Sequence, residues 1–153
     1  MVSASKLNTF LFFKLPSAYW SGVRVHQINN KQCVVKVKHR WFNQNPFQSM
    51  YFAVQAMAAE LSTGALVMME IKKSGKSISM LVANNKATFT KKATGVITFT
   101  CNQGELIHDT ILKAIETSEG QTIWLQSVGV NQKGEQVSVM DFEWTIKLKN
   151  TAK

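Results

Sequence analysis

The chain has 153 residues, of which 45 % are hydrophobic and 18 % charged, so it can bury a core and wholesale disorder is excluded. Two prolines and eight glycines leave no room for a long linker or a low-complexity tract. The 18 basic residues exceed the 9 acidic ones and give a net charge of +9, which favours an anionic partner but also serves simply to keep a protein soluble. Only Arg24 and Arg40 are arginines. This scarcity argues against sequence-specific nucleic-acid binding, because arginine is the residue that reads bases and phosphates bidentately.

The N-terminal segment is predicted to be a short amphipathic helix. Its largely apolar run from Leu7 to Phe13 is interrupted by Lys14 and Pro16, and no small-residue cleavage site follows a long apolar core. No uninterrupted apolar run in the chain reaches the ~18 residues of a membrane span. We therefore predict a helix over residues 4–15 that packs on the body of the molecule, and a cytoplasmic protein without a membrane span.

The next elements are a hairpin and a long helix. Apolar residues alternate over residues 23–28 and 33–39, and the turn residues Asn29-Asn30-Lys31 lie between them, which predicts two paired strands. From Pro46 to about Met69 the sequence has almost no turn signal, and alanine fills five positions. Pro46 suits the first turn of a helix. The segment is apolar on nearly every side, so the helix is expected to be buried on most of its circumference.

Strands resume after this helix and continue to the end of the chain. The sequence predicts strands over 78–90, 95–101, 121–130 and 136–148, and a short amphipathic helix over 104–117. Asn84-Asn85 in the first of these strands predicts a bulge. Six antiparallel strands can curl around the one central helix. We therefore predict an α+β fold in a single domain over 1–153, with an N-terminal helix in 1–16 and a polar tail in 149–153.

The cysteines and histidines are too dispersed for a metal site. Cys33 and Cys101 lie far apart in the sequence, and neither they nor the three histidines have metal-ligand spacing. The sequence therefore predicts no bound metal and two buried free thiols, with a structural disulfide as the less favoured alternative.

A family resemblance enters at residues 45–64, which read NPFQSMYFAVQAMAAELSTG. This segment is similar to the PaaI-like and DUF4442-type acyl-CoA thioesterase families of the hotdog fold. Their motif has an asparagine, then a His-x-Gly or His-Gly-Gly turn that opens the helix, and an acidic residue nine positions after the histidine. Asn45 stands at the asparagine, Tyr51 at the histidine, Ala53 at a glycine and Glu60 at the acid.

The resemblance implies a thioesterase site built on the central helix. The backbone N–H groups of Phe52 and Ala53 at the helix start would hold the thioester carbonyl, and Glu60 would act as base or nucleophile. Residues 89–95 resemble the family's strand-to-strand turn, where Lys91 and Lys92 would meet the phosphates of coenzyme A. No cofactor is implied beyond the coenzyme A moiety of the substrate.

The spacing of the motif adds an inference about assembly. Nine helical residues rise ~13 Å, so one thioester carbonyl cannot touch both Tyr51 and Glu60 of the same helix. If both residues serve one site, Glu60 must come from a second chain. The sequence therefore predicts a homodimer or a tetramer with its site at the interface.

Simpler roles stand beside these predictions. Glu60 could be a structural acid that pairs with a lysine or caps a backbone group, Asn45 an N-cap of the helix, and Tyr51 a packing residue. Lys91 and Lys92 could be solvated charges. Three functions remain open: a thioesterase acting on acyl-CoA or acyl-carrier protein, a catalytically silent acyl-CoA binder, and a basic module that binds nucleic acid or a membrane surface.

Overall fold

A computed structural model describes residues 2–149 of the chain. The predicted polar tail therefore lies outside the described residues, apart from Lys149. In chain order the elements are α1 (Ala4–Lys14), α2 (Pro16–Trp20), β1 (Arg24–Ile28), β2 (Cys33–Lys38), a 3-10 turn (Trp41–Asn43), α3 (Phe52–Ser74), β3 (Ile78–Phe89), β4 (Val96–Cys101), α4 (Gly104–Thr117), β5 (Gln121–Val130) and β6 (Gln136–Leu148).

The six strands form one antiparallel sheet in the order β1-β2-β4-β5-β6-β3. Buried residues alternate with more exposed ones along the central strands, so one face of the sheet is turned to the core. The long helix α3 packs on that face, and β1 and β3 are the two edges. The predicted α+β architecture, a six-stranded antiparallel sheet around a central helix, is confirmed. It is the hotdog fold that the resemblance implies.

The helix α3 is packed against the sheet through buried apolar side chains and through hydrogen bonds of polar side chains. Among residues 2–149, α3 is the one helix that is long and apolar enough to cross a membrane. However, 67 % of its most apolar 18-residue segment is buried in the fold. It is the core helix of this sheet. Three buried hydrogen bonds tie it to β5 and β6: Ser62 to Ser127 (2.8 Å), Ser138 to Gln55 (3.0 Å) and Trp144 Nε1 to Thr63 (3.0 Å).

The start of α3 differs from the prediction. The helix begins at Phe52, and Pro46 lies in a tight turn six residues earlier. Asn45 Oδ1 accepts hydrogen bonds from the backbone N–H groups of Phe47 (2.9 Å) and Ser49 (3.3 Å), so its side chain stabilises this turn. The reading of Asn45 as the N-cap of the helix is therefore wrong. Tyr51 occupies the N-cap position, and its side chain makes no capping hydrogen bond.

The structure confirms the predicted bulge in β3 and the two buried free cysteines, and it shows where the cysteines lie relative to each other. The register of β3 against β6 shifts between Val82 and Asn84, which is the bulge expected near Asn84-Asn85. Cys33 and Cys101 are buried free thiols. Although they are distant in sequence, the register of β2 against β4 places them directly opposite each other. Burial raises the pKa of the Cys33 thiol to about 12 and that of Cys101 to about 11.

A close backbone contact at the start of α4 generates a stability prediction. A Cβ added at Gly104 would overlap the backbone carbonyl of Asn30 in the β1–β2 turn. We expect Gly104→Ala to lower the free energy of unfolding by about 2–3 kcal/mol, because neither backbone can yield cheaply. Gly120→Ala is the control, since a Cβ there has no neighbour nearer than 4.0 Å. Urea denaturation measures both, and equal midpoints for the two variants would contradict the contact.

Candidate functional site

The opening of α3 gathers five of the residues singled out in the sequence. Tyr51, Phe52 and Ala53 form the first turn, and the Tyr51 and Phe52 rings lie 4.9 Å apart between centroids. The loop that holds Asn45 is joined to this turn by the hydrogen bond from Tyr51 N–H to Asn43 O (2.9 Å). Tyr51 and Phe52 are both exposed, 47 % and 55 % respectively, so a ligand can reach the helix opening from solvent.

The first turn of α3 offers free hydrogen-bond donors. Tyr51 O accepts from the N–H groups of Val54 and Gln55, and Tyr51 N–H donates to Asn43. The N–H groups of Phe52 and Ala53 have no acceptor among residues 2–149, since the N-cap side chain does not reach them. Two donors at the positive end of a 23-residue helix dipole suit a carbonyl oxygen that gains negative charge.

Glu60 is a half-buried carboxylate without a partner. It lies on the partly exposed side of α3, and burial raises its pKa from the ordinary 4.5 to about 7, with no charge or hydrogen bond from residues 2–149 to oppose this. No basic side chain of the described residues pairs with it. The alternative that Glu60 is a lysine-paired structural acid therefore finds no support in this chain. A carboxylate with a pKa near neutrality can accept a proton at physiological pH.

A second acid on the same helix provides the contrast. Glu70 is also buried, which acts to raise its pKa, but His108 Nδ1 at 2.7 Å and Lys73 Nζ at 3.0 Å outweigh burial and leave the pKa below its ordinary value. The negative charge of Glu70 is thus balanced by His108 and Lys73, whereas no basic side chain of residues 2–149 balances the charge of Glu60.

The two lysines of the β3–β4 turn differ in their surroundings. Lys91 Nζ forms an exposed ion pair with Glu135 Oε1 at 2.6 Å, so its charge already has a partner. Lys92 Nζ donates to the carbonyl of Phe47 at 3.2 Å. Lys92 therefore lies beside the loop that precedes α3, whereas Lys91 is turned to the β5–β6 hairpin.

The predicted site residues fall into two groups in one chain. Asn45, Tyr51, Phe52, Ala53 and Lys92 lie at the opening of α3, and Glu60 lies nine residues beyond Tyr51, a rise of ~13 Å along the helix. Two large cavities of the single chain, of about 870 and 730 Å³, lie at the other end of α3 and include none of these residues.

Sequence reasoning missed the residues that surround Glu60. A Cβ added at Gly64 would lie 3.1 Å from Glu60 Oε1 and 3.0 Å from Cζ2 of Trp144. The carboxylate therefore lies over the helix surface at Gly64, beside the Trp144 indole, whose N–H is held by Thr63. Gly64 is the signal in the sequence that points to this neighbourhood. Glycine is unfavourable inside a helix, so its presence there indicates that other side chains approach the helix backbone closely.

The comparisons with known proteins agree with this architecture. The sequence matches the family described as a domain of unknown function (DUF4442) over residues 4–146, and the chain belongs to that family. Among curated proteins, none matches the chain.

Solved structures show the same fold at low sequence identity. A Pseudomonas aeruginosa protein described as a probable thioesterase is 20 % identical, with a TM-score of 0.80 over 95 % of this chain and 96 % of that one. A Chlorobaculum tepidum protein of unknown function is 15 % identical, with a TM-score of 0.82 over 95 % and 94 %. A thioesterase from Haemophilus influenzae is 10 % identical, with a TM-score of 0.73 over 99 % and 96 %. At these identities the likeness concerns the fold alone.

The raised pKa of Glu60 predicts how stability depends on pH. Because the folded protein holds this proton more tightly than the unfolded chain, the carboxyl makes folding less favourable as pH rises from about 4.5 through about 7. We expect Glu60→Gln to be more stable than the wild type by about 3 kcal/mol at pH 8 and equally stable near pH 4. Thermal unfolding at both pH values measures the difference, and a variant less stable than the wild type at pH 8 would disprove the absence of a partner.

Proposed function

We propose that the protein hydrolyses an acyl thioester, carried on coenzyme A or on an acyl-carrier protein, at a site formed between two copies of the chain. The observation that carries this proposal is the unpartnered carboxylate of Glu60, with a pKa of about 7, on an otherwise apolar core helix. Burying an uncompensated acid costs stability, and such a cost is typical of functional sites. The fold is also that of solved proteins described as thioesterases.

The case for two copies rests on what a single chain leaves uncovered. Ala53, Ala56, Met57 and Glu60 form a partly exposed stripe along α3, and Glu60 is its one charged residue. The neighbouring edge strand β3 is exposed from Ala83 to Phe89 and has an open hydrogen-bonding edge. A second copy related by two-fold symmetry would cover both features and would bring its own α3 opening toward Glu60.

The chemistry follows from the two groups. The N–H groups of Phe52 and Ala53 would donate to the thioester carbonyl oxygen, which becomes negative as the bond is attacked. Glu60 of the partner subunit would take a proton from a water molecule, and the oxygen of that water would bond to the carbonyl carbon. Collapse of the tetrahedral intermediate breaks the carbon–sulfur bond, and the departing thiolate takes the proton from Glu60. Acid and thiol are released, and the carboxylate is restored.

Thiol release from a panel of acyl-CoAs, from acetyl to palmitoyl and phenylacetyl, tests the activity. We expect Glu60→Gln to lower kcat by at least about 100-fold, because the base is removed. Glu70→Gln is the matched control on the same helix, with no loss expected because Glu70 is held by His108 and Lys73. The wild-type rate should rise with pH around a value of about 7, since Glu60 has to be deprotonated. Unchanged turnover in Glu60→Gln would exclude this role.

The donor role of the helix opening is tested by Phe52→Pro. Proline is tolerated at the first helical position, and Tyr51 has φ −60° and ψ 136°, which suit a residue before proline, so the change removes one N–H without disturbing the helix. We expect a loss of about 100-fold in kcat. Phe52→Ala is the control, because it removes the ring but keeps the N–H.

Mixing the two inactive variants tests the shared site. If Glu60 and the helix opening come from different chains, refolding Glu60→Gln together with Phe52→Pro creates hybrids with one intact site. Random pairing of a dimer predicts recovery of about a quarter of wild-type activity. No recovery in hybrids of proven composition would place both groups in one chain or in separate roles.

A second candidate function is a catalytically silent acyl-CoA binder. The feature that favours it is the helix opening, where Tyr51 and Ala53 replace the histidine and glycine of the family motif and Tyr51 makes no capping hydrogen bond. This reading predicts that acyl-CoA raises the melting temperature while no thiol is released, even after long incubation. Thermal shift and thiol assays on the same samples separate the two functions.

A further inference from the structure

Charge is strongly segregated along the chain. Residues 1–59 contain seven lysines and arginines and no aspartate or glutamate, so that Glu60 is the first acid. This acid-free region includes α1, α2, β1 and β2, which lie together at one edge of the sheet. The proposed thioesterase site uses none of these elements.

The outer face of this edge brings like charges together. Arg24 of β1 and Lys36 of β2 are directly opposite in the register, on the face turned away from the core. The Arg24 guanidinium turns toward α2, where Nη1 donates to the carbonyls of Tyr19 at 2.7 Å and Val23 at 2.8 Å. Lys38 follows on the same face of β2 and is exposed. Opposed like charges on neighbouring strands destabilise a sheet. An anionic ligand on this face would balance the charges of Lys36 and Lys38.

Exposed aromatic side chains border the same edge. Phe12, Phe13 and Trp20 are 43 %, 69 % and 63 % exposed, and their rings form one cluster with Tyr19 at centroid separations of 4.8–6.4 Å. The Arg24 guanidinium lies 3.5 Å from the centre of the Tyr19 ring. Aromatic rings at this level of exposure cost free energy in water and favour an apolar or interfacial environment.

The helices that carry the aromatic cluster are attached to the body of the fold by buried side chains and hydrogen bonds. Leu7 and Leu11 of α1 are buried in the core. The Asn8 side chain donates to Val25 O and accepts from Val25 N–H, both at 2.9 Å, so that it bonds to the edge strand as a neighbouring strand would. Asn43 donates to Ser21 O at 2.9 Å, which holds a second exposed pair, Trp41 and Phe42, beside the end of α2.

An open groove lies between the helices and the edge strand. Its volume is about 740 Å³, and its lining combines hydroxyl, aromatic and basic side chains, among them Ser5, Thr9, Tyr19, Arg24 and His26. Hydroxyl donors beside a guanidinium suit a phosphate group. The groove therefore adds a place for an anionic headgroup next to the exposed rings.

We propose that this edge, with Phe12, Phe13 and Trp20 as its aromatic face and Arg24, Lys36 and Lys38 as its basic face, docks the protein on anionic phospholipid bilayers. The rings enter the headgroup–acyl boundary, and the basic side chains contact lipid phosphates. This combination of projecting aromatic and basic residues is what interfacial binding requires. Each basic residue near an anionic surface strengthens binding, and the effect is screened by salt.

Two other occupants fit the same residues less well. A second copy of the chain, paired face to face, would place two acid-free basic surfaces against each other. Nucleic acid is disfavoured because lysine outnumbers arginine on the chain sixteen to two and because the rings project from helices instead of lying on a strand platform. Docking does not depend on thioester hydrolysis.

Vesicle co-sedimentation of the full chain tests the proposal, with phosphatidylcholine vesicles and with the same vesicles containing phosphatidylglycerol. We expect binding that requires phosphatidylglycerol and falls steeply with salt. Phe13→Ser combined with Trp20→Ser should weaken it at least about tenfold, because two apolar rings no longer enter the bilayer. Lys36→Glu combined with Lys38→Glu should weaken it to a similar degree.

Matched controls separate this edge from the rest of the surface. Lys113→Glu with Lys133→Glu changes the charge equally, and Leu106→Ser removes an exposed apolar side chain of α4. Both should bind vesicles as the wild type does. All variants should keep the wild-type melting temperature and wild-type turnover of any short-chain acyl-CoA that the protein hydrolyses, so that failure of docking and failure of the proposed enzyme activity remain distinct.

Four outcomes would overturn the proposal: no binding to phosphatidylglycerol vesicles, vesicle binding by Phe13→Ser/Trp20→Ser equal to the wild type, a smaller oligomer for that variant in light scattering, or tighter binding to a single-stranded oligonucleotide than to vesicles. The third would assign the face to a second copy, and the fourth would assign it to nucleic acid.

Discussion

A 23-residue helix that is apolar on nearly every side has to be covered, and the curled sheet covers most but not all of it. The residues that face the sheet are buried, and three polar bridges fix the helix in one register against β5 and β6. What stays partly uncovered is the stripe from Ala53 to Glu60, on a helix whose opening lies beside the end of β3, where the Phe52 and Phe89 ring centroids are 6.3 Å apart. The environment of Glu60 and the position of the proposed site both depend on how this one helix is enclosed.

Much of this arrangement could be predicted from residue patterns. The bounds of α4, β5 and β6 agree with the prediction because their periodicity is strong and their ends carry turn residues. The start of α3 was predicted wrongly because Pro46 suits a helix start and a turn equally well, and only the hydrogen bonds of Asn45 distinguish them. The register between two strands and the neighbours of a side chain cannot be predicted from the sequence of a single segment. The facing of Cys33 and Cys101 and the packing of Trp144 beside Glu60 depend on elements that are distant in sequence.

The two acids of α3 illustrate how the environment divides the roles of identical side chains. Glu70 is stabilised by His108 and Lys73 and contributes to the fold. Glu60 lies beside Gly64 and the Trp144 indole and has no basic partner among residues 2–149, so its charge is a cost that the apolar packing of the rest of the helix offsets. The sequence shows both acids at first sight as interruptions of an apolar helix. Only the neighbouring side chains reveal which of the two acids has its charge balanced.

The bonds between Asn8 and Val25 have a consequence for the size of any assembly. Because the Asn8 amide occupies both outward backbone groups of Val25, the β1 edge is blocked at its centre, and β3 is left as the edge where another strand can add. When two chains pair along β3, the β3 edge of each chain becomes hydrogen-bonded to the other. Such a sheet ends with a blocked strand on each side, so it cannot grow into a fibre, and addition stops after a single pairing.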